Sequence, residues 1–171
     1  MALCITDEPL IASGYRASPA PENVTFGSLS KPVQLRSESG FPSVMLRLTH
    51  SYRVVADSSV DRLWRVETVA YWYQILDREA RELLAYHWHL QTVGPAFPHL
   101  HISGRIGTLP VGRNVPPVAL GEMHLPTSHV PFAAVARLLV TELRIAPMRR
   151  DWQATLAAGE AAFAREQAPP D

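Results

Sequence analysis

Val44-Met45-Leu46-Arg47-Leu48-Thr49-His50-Ser51-Tyr52-Arg53-Val54-Val55 is the stretch on which the fold turns. Val44, Leu46, Leu48, Tyr52 and Val54 share one parity, while Arg47, Thr49, Ser51 and Arg53 share the other. Successive side chains on a strand point to opposite faces, so this alternation predicts a strand with one face on a core and one in water. His50 stands on the apolar parity and is expected to be a hydrogen-bonded core residue rather than a ligand.

Downstream, Asp57-Ser58-Ser59 supplies turn chemistry before a second run over residues 63–76, rich in Val, Trp and Tyr. Its apolar parity shifts midway, from Trp64 and Val66 to Val69, Tyr71, Tyr73 and Ile75, so either both faces are covered or a β-bulge intervenes, the bulge being the favoured reading. Asp77-Arg78-Glu79-Ala80 then reads as a hairpin leading into a third strand over 82–89. A helix over 77–86, favoured by Glu79, Ala80, Arg81, Leu83 and Leu84, is the competing reading. A fourth strand is expected over 98–103, and a mobile, Pro- and Gly-rich loop over 104–121 with a short edge strand within 118–125. After Pro126-Thr127-Ser128 the apolar period becomes helical: Phe132, Val135, Leu138, Leu139 and Leu143 fall on one stripe of a helix over 131–144. Pro147 closes that segment, and Asp151 opens a second helix over 152–166 with Trp152, Leu156 and Phe163 inward.

Upstream, residues 1–42 hold five prolines and three glycines with no sustained period, and read as an extended or partly disordered arm. Val33-Gln34-Leu35-Arg36 is its one short strand candidate. Residues 167–171 are expected to fray. The expected architecture is α+β: an antiparallel meander of four to five strands with two C-terminal helices packed on one face, residues 43–167 forming a single domain.

A chain of 171 residues, 47% of them hydrophobic, is long enough to bury a core without a metal or disulfide staple. Sixteen basic against sixteen acidic residues cancel, which removes the whole-molecule electrostatic case for nucleic-acid or anionic-membrane binding. One cysteine, Cys4, excludes an internal disulfide framework and suits a reducing compartment. No apolar run approaches the roughly 20 residues that span a bilayer, and the first residues lack the basic start of a signal peptide, so a cytoplasmic protein is expected.

The chemistry concentrates in histidine. Six of the seven lie between residues 87 and 129, with two His-x-His pairs, His87/His89 and His99/His101. Period 2 puts both members of each pair on one face of their strand, opposite Leu84, Tyr86 and Trp88 in the first and Leu100 and Ile102 in the second. If those strands are neighbours, four imidazoles lie side by side, and adjacent rings resist being charged together. The plain alternative is a set of histidines on a solvated sheet face; His124 and His129 are as readily exposed as functional. Two chemistries suit a cluster. In one, histidines act as general acid and base on a phosphodiester without metal, helped by Tyr86 and by Arg105 or Arg113 as a phosphate clamp. In the other, His87, His89, His99, His101 and His124 supply imidazoles to Zn or another first-row transition ion, with Glu122 as a further candidate. A cupin is disfavoured, since no Glu follows either pair at that fold's short offset. No phosphate-binding loop, dinucleotide fingerprint, Gly-x-Ser-x-Gly elbow or zinc-ligand cysteine pair is present. Pro98-His99-Leu100-His101-Ile102-Ser103 has Ser103 where a histidine-triad nucleotide hydrolase needs its third histidine.

Taken in order, Tyr71-Trp72-Tyr73-Gln74-Ile75-Leu76-Asp77, then Ala85-Tyr86-His87, then Phe97-Pro98-His99-Leu100-His101 and a helix resemble the TumE-like toxins of bacterial toxin–antitoxin pairs, over about residues 66–143. That resemblance implies a cognate antitoxin partner, an RNA-directed or otherwise growth-inhibiting activity, and His99 and His101 as site positions. The leading expectation is therefore a small protein whose sheet presents a histidine cluster, toxin-like and acting as a metal-independent ribonuclease. A non-catalytic binding protein using residues 1–42 to wrap a partner, and a His-ligated metal enzyme, are the alternatives.

Overall fold

A computed structural model describes residues 4–18, 20–26, 31–56, 64–89, 95–109 and 118–167. An eight-stranded antiparallel sheet dominates it, with two helices at the C-terminal end. The strands are β1 (Leu10–Ala12), β2 (Glu22–Phe26), β3 (Val33–Gln34), β4 (Met45–Ala56), β5 (Trp64–Leu76), β6 (Glu82–Trp88), β7 (His99–Ile102), β8 (Thr108–Leu109), β9 (Val118–Ala119) and β10 (Leu125–Pro126). The main sheet runs β1-β2-β4-β5-β6-β7-β10, with β3 also on β4, and β8 pairs β9 in a separate ribbon. The helices are α1 (Phe132–Thr141) and α2 (Trp152–Gln167).

The meander expected from 44–103 is its spine, β4 to β7. The parity shift in β5 is a bulge: Ser51 pairs Ala70 and Tyr52 pairs Thr68, leaving Val69 as the extra residue. Residues 82–88 are strand, so the helical reading of 77–86 gives way to the hairpin. Asp77 decides this, because its Oδ1 accepts from Glu79 N and Arg81 N, both at 3.0 Å, and Ala80 takes φ +59° to close the turn.

Two expectations need correction. The sheet has eight strands rather than four or five, and the segment read as an arm is woven into the domain. Its strands β1, β2 and β3 join the sheet, with β2 and β3 both pairing with β4. Further along, Ala146 N donates to Arg36 O at 2.7 Å and Met148 N to Cys4 O at 2.7 Å, tying the segment to the α1–α2 connection. The reason is burial: Ile5, Phe26 and Leu35 are core residues too widely spaced to show a period.

The core lies between one face of the sheet and the helices. Leu46, Leu48, Tyr71, Tyr73 and Ile75 supply the sheet side; Val135, Ala136, Leu139 and Val140 supply α1. Phe132 places its ring edge-on to Phe26 and Tyr73, at 5.9 and 5.6 Å. Helix α2 packs mainly along α1, with Leu156 its one buried residue among those described. Its C-terminal end is pinned to the sheet by Glu166, which accepts from Thr68 N at 2.5 Å. No helix among the described residues is long and apolar enough to cross a membrane.

Candidate functional site

With the helices on one face, period 2 sends the intervening residues of β5, β6 and β7 to the other. The 77–81 turn sets the β5–β6 register, with Tyr73 opposite Tyr86 on the helix side and Trp72 opposite His87 on the open side. The β6–β7 register then places His87 opposite His99 and Ala85 opposite His101. His124 arrives by a different route. The two 3-10 turns, Gly104–Ile106 and Leu120–Glu122, touch backbone to backbone, and a Cβ on Gly121 would stand 2.7 Å from Gly104 N. Only glycine fits there, and β10 then returns along β7 with Leu125 opposite Leu100.

The outcome is a depression of about 200 Å³ lined by five histidines, His87, His89, His99, His101 and His124, together with Trp72, Glu82, Ala85 and Pro95. Ring centroids lie 4.7 Å apart for His87 and His89, 5.1 Å for His87 and His99, 4.8 Å for His99 and His101, and 4.5 Å for His101 and His124. One donor atom from each of His87, His99 and His101 falls within 4.8 Å of the other two.

Hydrogen bonds fix the tautomers. His99, only 1% exposed, bonds the Phe97 carbonyl through Nδ1 at 2.8 Å. A carbonyl only accepts, so Nδ1 carries the proton and His99 Nε2 presents a lone pair. That lone pair faces His101 Nε2 at 2.9 Å, so His101 Nε2 is the donor in this arrangement. Burial holds His87 down to about 4, with His89, His99, His101 and His124 adding repulsion. Burial lowers His101 too, followed by the charges of His99 and His124, against an opposing pull from Glu82. His87 and His101 are therefore neutral at pH 7, as ligation or proton acceptance requires.

A polar chain underlies the histidines. Arg47 Nη1 donates to Gln74 Oε1 at 3.2 Å, and Gln74 Nε2 donates to Glu82 Oε2 at 2.8 Å. Gln74 is only 7% exposed, so this network orients Glu82 at the edge of the depression. Trp72, 46% exposed, stacks on His87 with centroids 5.3 Å apart.

The structure thus brings together the two His-x-His pairs and His124. It separates other proposed participants from them. Tyr86 sits on the helix side of β6, half-buried against the core, with its hydroxyl pushed up by burial, and cannot assist His87. The strand period alone dictates that. Arg105 is exposed in a 3-10 turn and does not line the depression, and Glu122 is exposed and likewise outside it. Arg113 lies outside the described residues. His129 packs edge-on to Trp88 at 4.2 Å, away from the cluster. His50 is the expected structural histidine: Nδ1 meets Tyr73 Oη at 2.7 Å and Nε2 meets Thr68 Oγ1 at 3.3 Å, and burial lowers it to about 4.

Sequence reasoning missed Trp72, Glu82 and the Arg47–Gln74 support. A signal for Trp72 was present, since it is the large aromatic on the polar parity between Tyr71 and Tyr73. Its partner depends on the register set by the 77–81 turn. Comparison of this chain with known protein families, with curated proteins and with solved structures finds no match.

Proposed function

We propose that the open face of the sheet holds a histidine-ligated transition-metal ion, zinc first, in a hydrolytic enzyme for small substrates. The observation that carries this reading is the convergence of His87, His99 and His101 donors, with His99 Nε2 aimed at His101 Nε2 across 2.9 Å while Phe97 O fixes the other face of His99. A tetrahedral ion with bonds of about 2.1 Å separates its ligands by about 3.4 Å, which lies between that 2.9 Å and the 4.8 Å limit of the set. Small side-chain rotations close the difference. Imidazole donors suit zinc, copper, nickel and iron better than magnesium or calcium. A ligating histidine is normally held through its other ring nitrogen, and the Phe97 carbonyl provides that hold.

Three histidines leave a coordination position open, the pattern of catalytic rather than structural zinc. Bound there, the ion would act as a Lewis acid on a carbonyl or phosphoryl oxygen. Glu82, oriented by Gln74, is the carboxylate placed to take a proton from an attacking water. The volume of about 200 Å³ suits a small substrate or the end of a larger one. The toxin-like ribonuclease reading uses the same cluster, with His87 and His99 as acid and base and His101 orienting one of them. Neither Arg105 nor Tyr86, however, is among the described residues that line the depression, where a phosphate would need them. The proposed compartment is the cytoplasm, where the lone thiol of Cys4 stays reduced.

Elemental analysis of protein purified without a metal-affinity tag decides the matter. We expect close to one equivalent of zinc or another first-row ion, removed by chelation with loss of hydrolytic turnover. Metal below about a tenth of an equivalent after dialysis against zinc rejects the reading. Ribonuclease activity that persists in chelator would favour acid–base chemistry at His87 and His99.

A further inference from the structure

On the other side of the sheet a second cavity, of about 290 Å³, runs between α1, α2 and the edge of the core. Helix α2 gives it one stripe: Thr155, Leu156, Gly159, Ala162, Phe163 and Glu166. From Thr155 to Glu166 that stripe spans about 16 Å at the helical rise. The facing wall is Phe132, Ala133 and Ala136 of α1. Gly159 lets the two helices close on one another, since a Cβ there would stand 3.1 Å from Ala133 Cβ, and the cavity is an open groove alongside that contact. An apolar groove with a lining spread along about three turns of α2 suits an extended alkyl chain.

The two ends differ chemically. Cys4 and Ile5 close one end beside Thr155, and both are buried. At the other end stand Glu166 and His50. Glu166 is the one charged residue among the described lining residues; it accepts from Thr68 N and makes no ion pair among the described residues. His50 has both ring nitrogens engaged, by Tyr73 and Thr68, and burial keeps it neutral at pH 7. His129, near enough to Glu166 to feel its charge, is also lowered by burial. An apolar channel ending on a carboxylate surrounded by uncharged rings favours a cation at that end and disfavours an anion.

We infer that this channel binds a cationic amphiphile, a primary ammonium group on one unbranched alkyl chain, with the ammonium on Glu166 and the tail lying along the α1–α2 seam toward Cys4. The site lies on the opposite side of the sheet from the histidine cluster and does not depend on a metal there.

Titration calorimetry of the full-length protein in chelator, with decylamine, decanol and decanoate below their aggregation concentrations, tests it. Decylamine should bind at one site at least tenfold more tightly than decanoate. Glu166→Gln keeps an acceptor for Thr68 N but removes the charge, and should weaken decylamine at least fivefold while leaving decanol within twofold. Ala162→Trp, at an exposed lining position, should weaken both decylamine and decanol at least tenfold. Absence of saturable decylamine binding, decanoate bound as tightly as decylamine, or indifference to Glu166→Gln each overturns the inference. If Ala162→Trp unfolds the chain, the Glu166→Gln comparison decides by itself.

Discussion

The two faces of the central sheet treat histidine in opposite ways. His50 and Tyr71 are register partners on the helix side; one residue along, Thr49, Trp72, His87 and His99 make the matching row on the open side. On the helix side the imidazole is satisfied by a phenol and a hydroxyl, groups that can donate and accept as the ring requires. On the open side His99 and His101 meet nitrogen to nitrogen, and can share only one proton between those facing atoms. Both environments are desolvating, and both His50 and His87 are lowered to about 4. A depressed pKa therefore does not separate a core histidine from a clustered one in this protein; the identity of the hydrogen-bond partners does.

The sharpest way to break that contrast is to remove one histidine from each face. His99→Ala should weaken zinc binding by about a hundredfold or more, measured by competition with a chromophoric chelator, because the proposed set of three ligands loses the member whose far ring nitrogen is held by Phe97 O. His50→Ala should leave zinc affinity within about twofold and instead lower stability by about 1–3 kcal/mol in urea unfolding, since it strands the Tyr73 hydroxyl in the core. A His50→Ala protein that loses zinc as severely as His99→Ala would erase the distinction between the faces.

Acid titration of stability gives the next largest effect. The native state holds His50 at about 4, whereas an unfolded histidine titrates near 6.5. Stability from this group is fully present above pH 6.5 and is lost as pH falls toward 4, where the unfolded chain takes up a proton that the native state refuses. Below pH 4 it adds no further loss. The full span amounts to about 3 kcal/mol as an upper bound. His87, His101 and His129 are shifted in the same direction and add slope of the same sign. His50→Gln should therefore flatten the dependence of unfolding free energy on pH between 6.5 and 4 without abolishing it, and an unchanged slope would show that His50 is as accessible to protons as any surface residue.

The smallest expected effect is a diagnostic one. Tyr86→Phe removes a hydroxyl on the helix side directly next to His87 in the chain, and zinc affinity and any hydrolytic rate should stay within about twofold. A tenfold loss of turnover would mean that the phenol reaches the depression, against the strand period that puts it on the other face.

Legibility followed the range of the interactions involved. The alternation around His50, the bulge at Val69 and both helices were readable because each is a short-range pattern in which one face must be apolar. The two His-x-His pairs were readable as same-face pairs for the same reason. Strands β1 to β3 were not, because they are short pieces held by partners far along the chain, and Leu35 and Ile5 become core only when β4 and the α1–α2 connection arrive beside them. Tyr86 is placed on the helix side by strand period alone, one position from His87. Trp72 and Glu82 needed the register of a hairpin that Asp77 fixes through three-dimensional hydrogen bonding.

By itself, the sequence determined that this protein would be an antiparallel sheet with helices at its C-terminal end, and that histidines would fall in pairs on the side of the sheet away from the apolar residues. Those outcomes depend on periods of two and 3.6 residues, which any short window contains. Tertiary structure alone decided that His87 and His99 stand opposite one another, that His124 joins them through the Gly104–Gly121 contact, and that an apolar groove beside the α1–α2 contact ends at Glu166. Each of these depends on register or on the distance between elements remote in sequence, and both are set by packing rather than by local pattern.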